Sequence, residues 1–232
     1  MSVYAVSDLH GRYDLWEKIK EHLAEDDILY CLGDVADRGP DGWKLLKELL
    51  ADKRVIFIKG NHEDMLADRL GRPHDYYVAS LHHQNGGEPT WNDAEDDPDA
   101  PNVKWAIRQL PLYAVYENIY GDRIFMSHSG ATEPEDDEDM LWDRTEYIHR
   151  TNYTDYNYII HGHTPIPYLI EDIEEAHRFY WPEFRCSNLE PWDGGAYFYH
   201  GYRFDIDCGS AFTGRAVMLN LDTFESIKIK GE

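Results

Sequence analysis

A chain of 232 residues is long enough to bury one sizeable core, and 42% hydrophobic with 14% aromatic content excludes a disordered polypeptide. Its 45 acidic against 22 basic side chains give a formal charge of −23, which excludes a surface that coats nucleic acid or docks on an anionic membrane. No stretch approaches the roughly 20 apolar residues that cross a bilayer.

Taken in chain order, short apolar runs at 3–6, 28–32 and 55–58 read as buried parallel strands. Between the first two, Leu15, Ile19 and Leu23 recur at four-residue spacing over 14–24, and Asp14 with Glu17 predicts a capping-box start. Between the second and third, Trp43, Leu46, Leu49 and Leu50 predict another amphipathic helix, and a third helix is expected just after Asn61. Strand and helix in alternation predict a parallel sheet with right-handed crossovers. The acidic stretches 92–102 and 133–139 read as solvated loops. Later strands are expected at 124–127 and 158–160, with a closing β pair at 216–221 and 226–229. The whole chain reads as one domain, 1–232, with insertions near 90–101 and 166–202. The aromatic-rich segment 178–202 either covers the site or caps a sheet or subunit contact.

The chain opens on the strand-like Val3 to Val6 with no basic, apolar leader. Cys31, Cys186 and Cys208 form neither a paired framework nor a C-x-x-C pattern, so a reducing cytoplasm is expected.

Each strand run ends in a polar cluster: SDLHG, GDVADRGP, KGNHED, SHSG and HGHT. In parallel α/β sheets the carboxyl edge is where loops converge on ligands, so these clusters are expected to meet. They offer Asp8, His10, Asp34, Asn61, His128 and His163. Carboxylate, imidazole and amide oxygen suit Mn²⁺, Fe²⁺ or Zn²⁺, and the lack of a thiolate argues against a structural zinc knot. Six ligands are too many for one ion with an open position. They suit two ions about 3.5–4 Å apart that share a carboxylate, with Asp34 the central candidate.

The set Asp8-Leu9-His10-Gly11, Gly33-Asp34-Val35-Ala36-Asp37-Arg38-Gly39 and Gly60-Asn61-His62-Glu63, followed by His128 and His163, resembles the phosphoprotein-phosphatase branch of the calcineurin-like metallophosphoesterases. Ile206-Asp207-Cys208-Gly209 resembles that branch's C-terminal end. The resemblance implies an α/β sandwich of two mixed β-sheets flanked by helices. It implies that Asp8, His10 and Asp34 hold one metal, and that Asp34, Asn61, His128 and His163 hold the other. Mn²⁺ is the expected ion, with Fe or Zn as alternatives. His62 would protonate the leaving alkoxide, Asp37 would orient and charge it, and Arg38 would grip the phosphate. Arg144, in LWDR, is the expected second phosphate ligand, ahead of Arg150. Direct attack by metal-bound hydroxide would need no Ser or Cys nucleophile.

The implied activity is hydrolysis of a phosphomonoester, with a phosphoserine or phosphothreonine protein as leading substrate. A symmetrical dinucleoside tetraphosphate, another small phosphoester, and a cyclic nucleotide or RNA end are the alternatives. A non-catalytic module binding metal or phosphopeptide is a further one. Val35-Ala36 and Ser129 depart from the usual second and fourth motifs without removing a ligand, and the compact chain is more like bacterial and phage versions. His22, His74, His82, His83, His149, His177 and His200 read as surface residues, and His161 as a possible hydrogen-bond support for a ligand.

Overall fold

The computed structural model describes residues 1–131, 137–144, 155–171 and 192–231. The N-terminal part runs β1 (Val3–Val6), α1 (Tyr13–His22), β2 (Ile28–Cys31), α2 (Gly42–Ala51), β3 (Val55–Phe57) and α3 (Asn61–Gly71). The three strands pair in parallel, Val3 opposite Ile28 and Leu29 opposite Val55. Then come α4 (Tyr76–Gln84), α5 (Glu88–Ala94), α6 (Ala100–Gln109), β4 (Tyr113–Glu117), β5 (Arg123–Ser127), α7 (Asp137–Trp142) and β6 (Tyr158–His161). The chain closes through β7 (Tyr197–Tyr199), β8 (Arg203–Asp205), a short helix Ser210–Thr213, β9 (Arg215–Asn220) and β10 (Ser226–Lys230).

Two mixed five-stranded sheets result, in the orders β10-β9-β1-β2-β3 and β4-β5-β6-β8-β7. The alternation of side chains along each strand explains why they stack. Val3, Ala5, Tyr30, Leu32, Val217 and Leu219 face the second sheet, where Ile124, Met126, Ile160 and Phe204 meet them. Their neighbours Val6, Leu29, Cys31 and Met218 face the other way, onto Leu15, Trp16 and Ile19 of α1 and Leu45, Leu46 and Leu49 of α2. With both faces covered, β1 and β2 must be apolar throughout, which is why they read as unbroken runs. The expected sandwich is therefore the observed one.

Three local expectations need correction. The first helix starts at Tyr13 and has no side-chain cap; Asp14 instead forms a two-pronged pair with Arg12, at 2.8 and 2.7 Å. Residues 92–102 are a loop only at 95–99, because 92–94 end α5 and 100–102 begin α6. Asp93, Glu95 and Asp96 do face solvent, but Asp97 and Asp99 are half-buried, Ala94 and Ala100 are buried in the core, and Pro89 and Pro101 sit in first turns, where proline is tolerated. Within 133–139, residues 137–139 open α7, while the rest of that stretch lies outside the described residues.

The segment 166–202 contributes to the core at both ends. Residues 166–171 are helical with Ile166 and Leu169 buried, and β7 joins the edge of the second sheet. Residues 172–191, including His177, lie outside the described residues, as do His149 and Arg150. Among the described residues, no helix is long and apolar enough to cross a membrane.

Candidate metal centre and acid–base site

The polar clusters meet because their loops are laced together by backbone hydrogen bonds. Asp8 N donates to Gly33 O at 3.0 Å, His10 N to Asp34 O at 2.9 Å, and Gly162 N to His128 O at 2.9 Å. Eight non-glycine residues are described at positive φ, and six of them are site residues: Asp8, His10, Asp34, Asp37, Arg38 and His163. Left-handed backbone costs on the order of 1–3 kcal/mol per such residue and persists where surrounding structure over-determines it, typically at functional sites. One glycine is obligatory for close approach: a Cβ on Gly162 would fall 2.1 Å from Asp8 Oδ2.

Glu63, one turn into α3, holds the second loop in place. Its Oε2 accepts from Asp34 N at 2.8 Å and Gly60 N at 3.1 Å, and its Oε1 from Val35 N at 3.0 Å and Ala36 N at 3.2 Å. Burial and the nearby Asp34 push its carboxyl up to about 7, against the pull of those amides.

The six expected ligands are all buried and converge. Asp8 Oδ2 is engaged by Ser7 Oγ and His163 N, at 2.5 and 3.0 Å, whereas its buried Oδ1 has no hydrogen-bond partner and lies 3.8 Å from His10 Nε2. His10 Nδ1 donates to Ala36 O at 3.1 Å, so its lone pair is at Nε2. Asp34 Oδ1 accepts from His62 N at 3.0 Å, leaving Oδ2 between the two halves of the site, 3.8 Å from His10 Nε2 and 3.4 Å from His128 Nε2. His128 Nδ1 donates to Leu32 O at 2.7 Å, and its Nε2 meets Asn61 Oδ1 at 3.0 Å and His163 Nδ1 at 3.1 Å.

Among the described residues two groups of donors lie close enough to hold an ion, and Asp34 belongs to both: His10, Asp34 and His62, and Asp34, His128 and His163. His62 falls within the first, but its Nδ1 is bound to Asp37, while Asp8 supplies the free oxygen beside His10. Asp8 is thus a better candidate than His62 for that position.

Electrostatics point the same way. Burial and Asp34 push the Asp8 carboxyl up, with His128 opposing them. Burial would also push Asp34 up, but His128, His62 and His10 outweigh it and hold that carboxyl well below its usual range. Burial would lower His128, yet Asp34 and Asp8 lift it to about 9. Buried carboxylates with an orphaned oxygen, ringed by imidazole lone pairs and without a thiolate, fit divalent cations.

The expected acid–base residues lie beside these donors. His62 is fully buried, and its Nδ1 donates to Asp37 Oδ2 at 2.8 Å. Burial alone would lower the imidazole; Asp34 and Asp37 outweigh it and raise His62 above its ordinary value. His62 and His82 together hold the Asp37 carboxyl low against its burial. Arg38, exposed at the mouth, donates from Nη1 to His10 Nε2 at 2.6 Å, and its Nη2 lies 3.0 Å from His62 Nε2. Arg144 is also exposed, and its Nε donates to His163 Nε2 at 3.1 Å. Both arginines thus sit at the rim, against His10, His62 and His163.

One histidine departs from expectation. His82 is completely buried, with Nε2 at 3.0 and 2.9 Å from the two oxygens of Asp37. The Asn85-Gly86-Gly87 turn brings it there, since Gly86 O also accepts Arg38 N at 2.8 Å. His22, His74 and His83 are exposed as expected, and His200 is half-buried. The His161 side chain points away from the ligands, with Nδ1 donating to Gly162 O at 3.0 Å and Nε2 accepting from Tyr199 Oη at 2.6 Å. Glu63 and Thr90, whose Oγ1 accepts Asp37 N at 2.8 Å, are supports to which the sequence attached no role. Glu63 was signalled by its place three residues after Gly60, the helix N-cap.

Comparison with known proteins adds names to this geometry. Symmetrical bis(5'-nucleosyl)-tetraphosphatases are similar over 135 residues, with 27% identity in Delftia acidovorans and 39% in Buchnera aphidicola. Each match takes in 56% of this chain and 44% of the relative, so the shared region is less than half of those proteins. A metallophosphoesterase from Sphaerobacter thermophilus superposes with a TM-score of 0.58 at 15% identity, covering 100% of this chain and 88% of that one. A protein serine/threonine phosphatase from Saccharomyces cerevisiae gives 0.55 at 14% identity, covering 100% and 80%. These two likenesses carry the sandwich fold. Residues 1–178, which include every ligand and acid–base residue named above, match the calcineurin-like phosphoesterase family, and the chain belongs to it.

Proposed function

We propose that the chain is a two-metal phosphoesterase that hydrolyses phosphomonoesters, with a phosphoserine or phosphothreonine side chain as the leading substrate. The observation that carries this reading is the buried His62, hydrogen-bonded through Nδ1 to Asp37 on one side and facing Arg38 and the Asp34 carboxylate on the other. A module that only bound metal or phosphopeptide would have no use for a buried, carboxylate-backed acid.

Asp8, His10 and Asp34 would hold one ion, and Asp34, Asn61, His128 and His163 the other. When bound, the ions supply Lewis-acid polarisation of phosphoryl oxygens and acidify water. The oxygen and nitrogen donor set suits Mn²⁺, Fe²⁺ or Zn²⁺, and the family resemblance puts Mn²⁺ first. Arg38 and Arg144, both exposed at the rim, bind and orient the phosphate oxygens through their planar guanidinium groups. His62 delivers its proton at Nε2 to the departing alkoxide, and the Asp37 carboxylate holds the ring and offsets the charge it carries. We place the protein in the cytoplasm, a reading supported by Cys31 and Cys208, both buried and unpaired among the described residues.

The names of the curated relatives favour a second reading, cleavage of a symmetrical dinucleoside tetraphosphate. Initial rates on a phosphopeptide, diadenosine tetraphosphate, a 2′,3′-cyclic nucleotide and p-nitrophenyl phosphate separate the readings. Each is run with Mn²⁺ and with chelator. Fastest metal-dependent turnover of the phosphopeptide supports the leading reading, and fastest turnover of the tetraphosphate replaces it with the second. No turnover of any substrate despite two bound ions sinks both.

A further inference from the structure

The Asp37 carboxylate has a second imidazole behind it. His62 meets only Oδ2, at 2.8 Å, whereas His82 Nε2 straddles Oδ1 and Oδ2 at 3.0 and 2.9 Å. All three side chains are completely buried. One hydrogen bond from His62 would leave the carboxylate free to turn about its Cβ–Cγ bond. A donor that bridges both oxygens fixes the plane of the group and aims Oδ2 at His62.

His82 is itself held from behind. Its Nδ1 faces Arg69 Nη1 at 3.3 Å, and since a guanidinium only donates, the ring must carry its hydrogen at Nε2, towards Asp37. Arg69 is 8% exposed, stacks over the Trp91 ring at 4.2 Å and reaches Glu88 Oε2 at 3.4 Å. Gly87 backs the His82 ring so closely that a Cβ there would lie 2.3–2.4 Å from three of its atoms. The ring is thus held at Nδ1 and Nε2 and backed by Gly87.

We propose that His82 is a positioning residue for the acid step. It acts through Asp37 on His62, with Arg69 selecting the tautomer that makes this possible. The proposal rests on the phosphoesterase reading and deepens it, because it assigns a function to a side chain that touches neither metal ligands nor substrate. A merely structural His82 would support the fold and affect all substrates alike. A positioning His82 matters in proportion to how much the leaving group needs a proton.

The test is therefore a ratio. For the Mn²⁺-loaded protein, kcat is measured on a phosphoserine peptide, whose alkoxide must be protonated, and on p-nitrophenyl phosphate, whose phenolate leaves without it. Wild type, His62→Ala, His82→Leu, His82→Gln and His82→Asn are compared, with bound metal counted in each. His82→Leu is expected to lower the peptide-to-aryl kcat ratio about 10-fold, a portion of the roughly 10²–10⁴-fold a positioned acid supplies. KM and metal content should hold. His82→Gln, which keeps an N–H donor, should recover most of the ratio, and His82→Asn, which is too short to reach Asp37, should not. The glutamine and asparagine pair gives the same readout if the leucine variant does not fold.

An unchanged ratio in the leucine and asparagine variants, with His62→Ala showing a large one, would overturn this proposal and leave the phosphoesterase reading intact. A His62→Ala variant with no change in ratio, or a wild type with no turnover, would overturn both.

Discussion

His62 Nδ1 lies 2.8 Å from Asp37 Oδ2 in a site where neither side chain has any solvent exposure. An imidazolium so placed cannot be neutralised by water, so its charge depends on this carboxylate and on Asp34. Burial pushes His62 down, and the two carboxylates push it up further, so the proton stays on above the ordinary histidine value of about 6.5. The sign follows. The acid form is complete at low pH and is lost as pH rises through the raised value, so kcat on an alkyl phosphate falls on the alkaline side. Asp37→Asn removes one of the two raising carboxylates, and the alkaline limb of the kcat profile should move to lower pH. A limb that stays in place would show that Asp37 does not set the charge of His62.

Removing the acid itself should separate chemistry from metal binding. His62→Ala is expected to lower kcat on a phosphopeptide by roughly 10²–10⁴-fold while both ions remain bound, since Asp8 rather than His62 completes the first group. Loss of one equivalent of metal in this variant, measured by elemental analysis, would put His62 among the ligands instead.

Much of this site was legible before any coordinates. Three apolar runs, each followed by Asp, His or Asn, mark strand ends, and β1, β2 and β3 do place Asp8, Asp34 and Asn61 side by side. What could not be read was burial that depends on helix phase. His82 and His83 are adjacent and chemically identical, yet His82 has no exposure and the His83 side chain is 65% exposed. Successive residues on a helix point about 100° apart, and with α4 unrecognised there was no phase to assign. The helices α5 and α6 were hidden for a related reason. Their acids and prolines read as loop, while the contacts that hold them are small: Ala94, Ala100, and Asp97 accepting from Trp43 Nε1 at 2.7 Å and Lys47 Nζ at 2.8 Å. β7 and β8, three residues each, were too short and too aromatic to show a period.

Glu63 should prove more important to stability than a surface acid of the same helix. Its carboxylate satisfies four backbone amides of the second and third loops, and burying even one or two donors unpaired costs about 1–3 kcal/mol each. Glu63→Ala is expected to lose at least about 2 kcal/mol in urea unfolding, and to bind metal more weakly because Asp34 is no longer held. Unchanged stability would mean that water replaces the carboxylate there.

The close approach at Gly162 makes a sharper prediction. A methyl group placed 2.1 Å from Asp8 Oδ2 must displace either the carboxylate or the loop that carries His163. Gly162→Ala should therefore abolish metal-dependent turnover. In a protein that still folds, it should also eliminate the rise in Tm with added Mn²⁺, a rise that for wild type corresponds to about 2.7 kcal/mol at 100 times Kd.

The central claim is that Asp34 is shared by two ions. Anomalous diffraction from crystals loaded with Mn²⁺ tests it most directly. The account predicts two peaks on either side of Asp34 Oδ2, one coordinated by Asp8 and His10, the other by Asn61, His128 and His163. A single peak, or a first ion held by His62 with Asp8 uninvolved, would contradict it.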